Sequence, residues 1–220
     1  MTVTSQAFVV CGFSQSADKV IDTVANHMGT NNISDTSLKE LFALACEQVD
    51  SKIAQVSESA LNNGTPCSEW DVRALLEHMI EELYWVPPIL SGERLAEAEK
   101  DIPDKLLLPD IQTAWERAAN TAIQAVADTD LNNEVELSSG LTKAKHFLEE
   151  ITTDITIHSW DLAQGVGTES QLDEQLVEAV YDIFKEKAEE WHNAGVIGES
   201  IAVSESANTQ EKLLALAGRF

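Results

Sequence analysis

The spacing of apolar residues predicts α-helices along most of the chain. Apolar side chains recur at three- and four-residue steps, which is the helical period, over about 37–59, 110–128, 143–164 and 171–193. A further helix is predicted to begin near residue 68. The closing stretch EKLLALAGRF adds a short one.

Local signals for helix ends accompany these patterns. Residues 35–37 offer side chains that can cap the first helix. Residues 68–71 have the spacing of a capping box for the second helix, and the prolines at 87–88 are expected to limit it near its end. The glycines within 165–167 are expected to stop the helix that begins near 143.

Strand signals are few. AFVVCGF near the N-terminus and EVEL at 134–137 are both too short to be convincing strands. The pattern therefore predicts an all-α protein, a bundle of four principal helices with additional N-terminal and C-terminal segments. In this scheme residues 1–35 form an N-terminal extension with one short helix, and residues 36–220 form the helical bundle domain.

The chain is strongly acidic, with 38 Asp and Glu residues against 14 Lys and Arg residues and a net charge of −24. Such a surface repels phosphate backbones and anionic lipid, so binding to nucleic acid or to a membrane surface is not expected. A solvated surface that maintains solubility and an adaptation to a salty environment both explain this balance, and composition does not separate them.

The cysteines and the lengths of the apolar runs predict the cellular compartment of the protein. There are three widely spaced cysteines, an odd number that argues against a disulfide framework and against a zinc ribbon. The apolar runs are far shorter than a membrane span, and no basic region precedes the short apolar stretch near the N-terminus. The sequence therefore predicts a cytoplasmic protein.

The stretch EITTDITIHSW contains an anomaly. At about 100° per residue, Asp154 and His158 fall in the same arc as Phe147, Ile151 and Leu162, which should face the core. An ionised carboxylate in a core stripe costs several kcal/mol unless it is paired or bound to a metal. The pair is therefore expected to have a specific partner.

Two interpretations of the pair remain open at this stage. An intrahelical hydrogen bond between Asp154 and His158 would satisfy both side chains. Alternatively, both bind one metal ion, since i,i+4 side chains on one helix face can do so and imidazole with carboxylate suits zinc, iron or nickel. A metal site needs a third ligand, for which spacing leaves these candidates: His27, His78, His146, His192 and Glu150. Periodicity alone places His78 off its helix's apolar stripe, so it is expected to be partly exposed.

Three stretches together carry a family resemblance: TPCSEWDVRALLEHMI (65–80), DITIHSWDLAQGVG (154–167) and EKLLALAGRF. Their order resembles metal-binding proteins related to the N-terminal domain of mycothiol-dependent maleylpyruvate isomerase, in the DinB-like superfamily. The resemblance covers about residues 37–220 and implies a DinB-like four-helix bundle. It also implies a divalent metal held by His78 and by the pair Asp154 and His158. The isomerase looks to use Glu at the acid position, where this chain has Asp154.

The resemblance further implies an open metal site of the catalytic kind. Zinc is the first metal expected, with nickel and iron as alternatives, and a low-molecular-weight thiol such as mycothiol is the implied cofactor. The expected reaction is thiol transfer, isomerisation or hydrolysis of a small-molecule substrate, and a homodimer is compatible with the family. The alternatives are a non-enzymatic metal- or ligand-binding bundle and a structural bundle in which Asp154 and His158 only pair with each other.

Neighbouring residues have simpler interpretations. Trp70 is expected to be a core or pocket-wall residue, and Cys67, beside a helix start, is expected to be structural. Asp161 has the position of a group that orients a metal ligand, but a surface ion pair or a local hydrogen bond is the simpler expectation.

Overall fold

The computed structural model describes residues 34–67, 70–107, 109–193 and 199–219. The α-helices are α1 (Asp35–Ile53), α2 (Val72–Ser91), α3 (Leu95–Ala98), α4 (Ile111–Asp128), α5 (Ala144–Val166), α6 (Glu174–Asn193) and α7 (Thr209–Leu216). Short 3₁₀ helices span Glu58–Asn62 and Glu99–Asp101, and a hairpin pairs β1 (Glu134–Leu137) with β2 (Gly140–Lys143). Within these ranges, none of the helices combines the length and apolar character that a membrane span requires.

Helices α1, α2, α4 and α5 form a four-helix bundle, which confirms the predicted all-α architecture. The apolar stripe of α2 packs against α4 and α5. Helix α1 also packs against both α4 and α5. Helix α6 covers the outer face of α5 and also packs against α7. As a result, α5 is buried on nearly all sides from Ile151 to Ala163. Any polar side chain in that stretch must find its partners inside the protein.

The structure corrects the predicted helix ends. Ser34, rather than a residue of 35–37, caps α1, because its side chain accepts a hydrogen bond from the Ser37 backbone N–H. Asp71 is itself the N-cap of α2 and accepts from the Ala74 N–H, so the predicted capping box does not form. Helix α2 also continues through its two prolines to Gly92, whose φ of +76° ends it. Each proline lacks the N–H that would bond to the backbone oxygen four residues earlier, so the helix continues here without two of its internal hydrogen bonds.

The EVEL segment does form a strand, contrary to expectation. Glu134 lies opposite Lys143 and Leu137 opposite Gly140, so the hairpin leads directly into α5. Val135 is buried on the bundle side. The pairing partner supplies the hydrogen bonds that stabilise so short a strand, and a local pattern does not show that partner. The AFVVCGF segment and the short helix of the predicted N-terminal extension lie outside the described residues.

Candidate metal centre

His78 on α2 and the pair Asp154 and His158 on α5 converge where the two helices pack. His78 Nε2 lies 3.4 Å from Asp154 Oδ2, and His158 Nε2 lies 3.3 Å from Asp154 Oδ1. Each residue offers one ligand atom, and these atoms all lie within 4.8 Å of one another. The structure thus brings together the three residues that the family resemblance selected.

The converging atoms have no hydrogen-bond partners. His78 Nε2, His158 Nε2 and both carboxylate oxygens of Asp154 are buried without a hydrogen bond. An unsatisfied buried polar group costs about 1–3 kcal/mol, so four such atoms in one place require an explanation. The intrahelical hydrogen bond considered above does not form. Two imidazole nitrogens and a carboxylate are a donor set that zinc, nickel and iron accept. These residues therefore fit a divalent metal ion.

The electrostatics of the cluster keep Asp154 ionised. Burial alone would raise the pKa of the Asp154 carboxyl, but His158 and His78 beside it hold that pKa well below its usual range. Burial opposes protonation of His158, yet the Asp154 and Asp161 carboxylates together raise the pKa of His158 to about 9. In the absence of a metal the cluster is therefore a network of opposite charges in the core, and binding a cation there requires loss of a proton.

Asp161 lies behind His158 and is fully buried, so the expected surface ion pair was wrong, whereas the alternative of a local hydrogen bond is confirmed by its contact with His158. Its Oδ2 atom lies 2.9 Å from His158 Nδ1, and Arg219 Nη2 donates to the same oxygen at 3.0 Å. Burial would raise the pKa of Asp161, but the hydrogen bond with His158 and the charge of Arg219 lower it. Arg219 was missed at the sequence level: it lies in the quoted C-terminal motif, but its partner is 58 residues away.

The segment that leads into α2 forms one wall of the cluster. The Trp70 ring lies against His78, with centroids 4.5 Å apart, and its centroid is 5.7 Å from that of His158. Cys67 is buried and its Sγ lies 3.9 Å from His158 Nδ1. Thr65 Oγ1 donates to the backbone oxygens of both Cys67 and Trp70 at 3.1 and 2.8 Å, which fixes their positions. Trp70 is therefore a wall residue, as expected.

Gly165 allows this segment to approach α5 closely. It does not terminate the helix, which continues to its cap at Gly167. A Cβ atom on Gly165 would lie 2.7 Å from Val72 Cγ2 and 3.0 Å from Thr65 Cγ2. Its backbone oxygen also accepts a hydrogen bond from Asn63 Nδ2 at 2.9 Å. A glycine here thus keeps the Trp70 wall in contact with the ligand-bearing helix.

The His78 side chain is 15% exposed although its Nε2 atom is buried, whereas the His158 side chain is fully buried. Glu82 lies one helical turn further along α2 and is half-buried. Burial raises the pKa of Glu82, His78 opposes this, and Asp154 adds to it, giving a value of about 7. A carboxyl group with such a pKa can exchange protons near neutral pH, the property of a general acid–base group. The four-residue spacing puts Glu82 on the same helix face as His78, but no motif in the sequence gives it a role.

The other third-ligand candidates are not in the cluster. His146 is exposed near the start of α5, and His192 is exposed near the end of α6. Glu150 lies on α5, one turn before Asp154, and does not join the triad of ligand atoms. His27 lies outside the described residues.

Comparisons with known proteins bear on the family of the chain. The family described as the mycothiol maleylpyruvate isomerase N-terminal domain matches residues 42–163, which is more than half of the chain. Uncharacterized proteins MT0763 and Rv0738, from two strains of Mycobacterium tuberculosis, are each 29% identical to this chain over 126 residues. The match spans 56% of this chain and 64% of each relative, slightly less than two-thirds of their length. No solved structure matches the chain. The family match includes His78, Asp154 and His158, and the chain belongs to the mycothiol maleylpyruvate isomerase N-terminal domain family.

Proposed function

We propose that this protein binds a divalent metal ion through His78 Nε2, the Asp154 carboxylate and His158 Nε2. The observation that supports this most strongly is that four buried polar atoms, none of which has a hydrogen bond, lie together between α2 and α5. Zinc is the first candidate, and nickel and iron accept the same donors. Three protein ligands leave at least one coordination position for a molecule from solution.

The proposed activity is metal-dependent chemistry on a small molecule: thiol transfer, isomerisation or hydrolysis. A bound divalent ion supplies Lewis acidity, which lowers the pKa of a coordinated water or thiol. The family relationship supports mycothiol or a similar low-molecular-weight thiol as the partner. Asp161 would hold the Nδ1 proton of His158, and the Trp70 ring would shield one side of the cluster from water. Glu82, one turn from His78, would exchange protons with the bound molecule.

A second candidate is a non-enzymatic metal-binding module, and burial of the cluster favours it. Asp154 and His158 are both fully buried, and His78 alone of the three reaches solvent. Such a centre would be coordinatively closed and would stabilise the packing of α2 on α5. The two candidates predict the same ligands but differ in whether a small thiol can reach the ion.

Cobalt substitution distinguishes the open, enzymatic site from the closed metal-binding module. Metal-free protein loaded with Co²⁺ is titrated with a small thiol while its visible absorption is recorded. An open site predicts a thiol-dependent change in the cobalt spectrum, and the same protein with Asp154→Asn should give no protein-bound cobalt spectrum. His146→Ala, which removes an exposed histidine from the same helix, is the matched control and should behave as the wild type. A cobalt spectrum that no thiol changes contradicts the enzymatic proposal and supports the closed module.

A further inference from the structure

A buried ion pair lies directly behind the proposed metal ligand His158. Arg219 Nε donates to Asp161 Oδ1 at 3.1 Å, and Arg219 Nη2 donates to Asp161 Oδ2 at 3.0 Å. Nη1 of the same guanidinium donates to the backbone oxygen of Ala217 at 2.9 Å. Arg219 is 3% exposed although it follows the last helix, α7. A two-point contact of this kind fixes the orientation of the carboxylate as well as its position.

The orientation of Asp161 determines which nitrogen of His158 faces the metal cluster. Asp161 Oδ2 lies 2.9 Å from His158 Nδ1 and accepts a hydrogen bond from its N–H. A histidine held in this way presents Nε2 as the ligand atom, and His158 Nε2 is the atom that lies 3.3 Å from Asp154. The contacts therefore run in sequence from the C-terminal segment, through Asp161, to His158.

The same region contains a second group of potential metal ligands, but the contacts of Arg219 indicate that it does not bind a metal ion. Cys67, His158 and Asp161 have ligand atoms within 4.8 Å of one another. However, Arg219 Nη2 donates to Cys67 Sγ at 3.1 Å and also to Asp161. Because a guanidinium is always charged, Cys67 Sγ and Asp161 Oδ2 already contact a cation, the Arg219 side chain. This group is therefore better explained as support for His158 than as a second ion site.

We propose that Arg219 is a positioning residue for the metal centre, and that docking of the C-terminal segment 209–219 is thereby coupled to metal affinity. The inference rests on the proposed function, since it requires that His158 bind a metal. Coupling between two events is reciprocal. A segment that raises metal affinity when docked must itself be held more firmly when metal is bound.

The first test measures the affinity of purified, full-length protein for Zn²⁺ by competition with a chromophoric chelator. Arg219→Gln removes the contact to Asp161 and is expected to weaken Zn²⁺ binding by about 10–100-fold, the range found for outer partners of metal-bound histidines. Lys212→Gln removes the same charge from α7 and should leave the affinity unchanged. Arg219→Lys keeps the charge but loses the two-point contact, so it is also expected to weaken binding. If Arg219→Gln does not fold, Arg219→Lys takes its place in the test. A variant of Arg219 that binds Zn²⁺ with wild-type affinity would overturn the proposal.

A double-mutant cycle separates positioning from a general structural role. If Arg219 acts through Asp161, Arg219→Gln should have little further effect on Zn²⁺ affinity once Asp161→Asn is present. If the two changes weaken binding independently, so that their fold-changes multiply, the path through Asp161 is wrong.

The reciprocal effect is measured by amide hydrogen exchange at the contacts of the C-terminal segment. The backbone N–H groups of Leu172 and Ile201 donate to Gln210 Oε1 and to the Ala215 backbone oxygen, both at 2.9 Å, so they join segment 209–219 to the rest of the chain and their exchange reports its docking. Zn²⁺ should slow their exchange in the wild type and leave it unchanged in Asp154→Asn. Wild-type protein that binds Zn²⁺ with no change in this exchange overturns the coupling but keeps the metal site. Wild-type protein that binds no Zn²⁺ overturns the proposed function itself.

Discussion

Asp154 and His158 lie one turn apart on α5 with Asp154 Oδ1 and His158 Nε2 3.3 Å apart, yet neither atom forms a hydrogen bond. His78, from α2, completes the arrangement with its Nε2 atom 3.4 Å from the other carboxylate oxygen. A pair that existed only to satisfy itself would be expected to align for hydrogen bonding. The geometry instead brings one potential metal-ligand atom from each of three side chains within 4.8 Å of one another.

Removal of metal should lower thermal stability. A ligand that binds only the folded state at about 100 times its dissociation constant adds about 2.7 kcal/mol. For a domain of this size that corresponds to a rise in Tm of roughly 5–10 °C. Scanning calorimetry of protein with zinc and with excess chelator should show this difference. Asp154→Asn should abolish it, and an equal Tm for the two wild-type samples contradicts the prediction.

Gly165→Ala should destabilise the fold although alanine favours helices. The new methyl group would lie 2.7 Å from Val72 Cγ2, and overpacking a core typically costs about 1–3 kcal/mol. The gain in helix propensity offsets up to about 1 kcal/mol of this. Denaturant unfolding should therefore show a net loss of roughly 1–2 kcal/mol.

Gln164→Ala is the control for this prediction, since residue 164 is exposed on the same turn of α5. It should leave the unfolding free energy nearly unchanged. If Gly165→Ala proves as stable as Gln164→Ala, then the segment before α2 is not packed as closely against α5 as the structure has it.

The N-cap of α4 should give a pH-dependent contribution to stability. Hydrogen bonds from the Thr113 backbone N–H and hydroxyl lower the pKa of Asp110 below its usual 3.8. A lowered folded pKa means that the stabilisation is present above the unfolded value and is lost as the pH falls through the folded one. The Tm advantage of wild type over Asp110→Asn should therefore shrink as the pH is lowered from 6 to below about 3.8. Asparagine keeps a cap acceptor without the charge, and a gap that does not change with pH contradicts the prediction.

The bundle was predictable because its helices have long apolar stripes. The stripes of α4 and α5 gave these helices nearly at their observed positions, whereas the predicted first helix ran to about residue 59 and α1 ends at Ile53. Short elements were less predictable: β1 depends on pairing with β2, and the α2 cap moved to Asp71 because capping depends on local geometry. Helix ends are set by few interactions, so sequence patterns locate them within a few residues only.

The metal cluster was predictable in part. Asp154 and His158 stood out because they interrupt an apolar stripe on a single helix. His78 did not, since its contribution depends on how α2 packs against α5, and the family resemblance selected it. Arg219 was missed because its contact with Asp161 joins residues 58 apart in sequence. Helical periodicity describes one element at a time and carries no information about such contacts.

The most direct test of the account is the metal content of untagged protein purified without chelator. Elemental analysis of the wild type is compared with an Asp154→Ala/His158→Ala double variant and with His146→Ala. We expect near-stoichiometric zinc, nickel or iron in the wild type and in His146→Ala, and loss of the metal in the double variant with helical content preserved. Wild-type protein that is metal-free and takes up none of these ions when they are added, or a double variant that retains full stoichiometry, contradicts it.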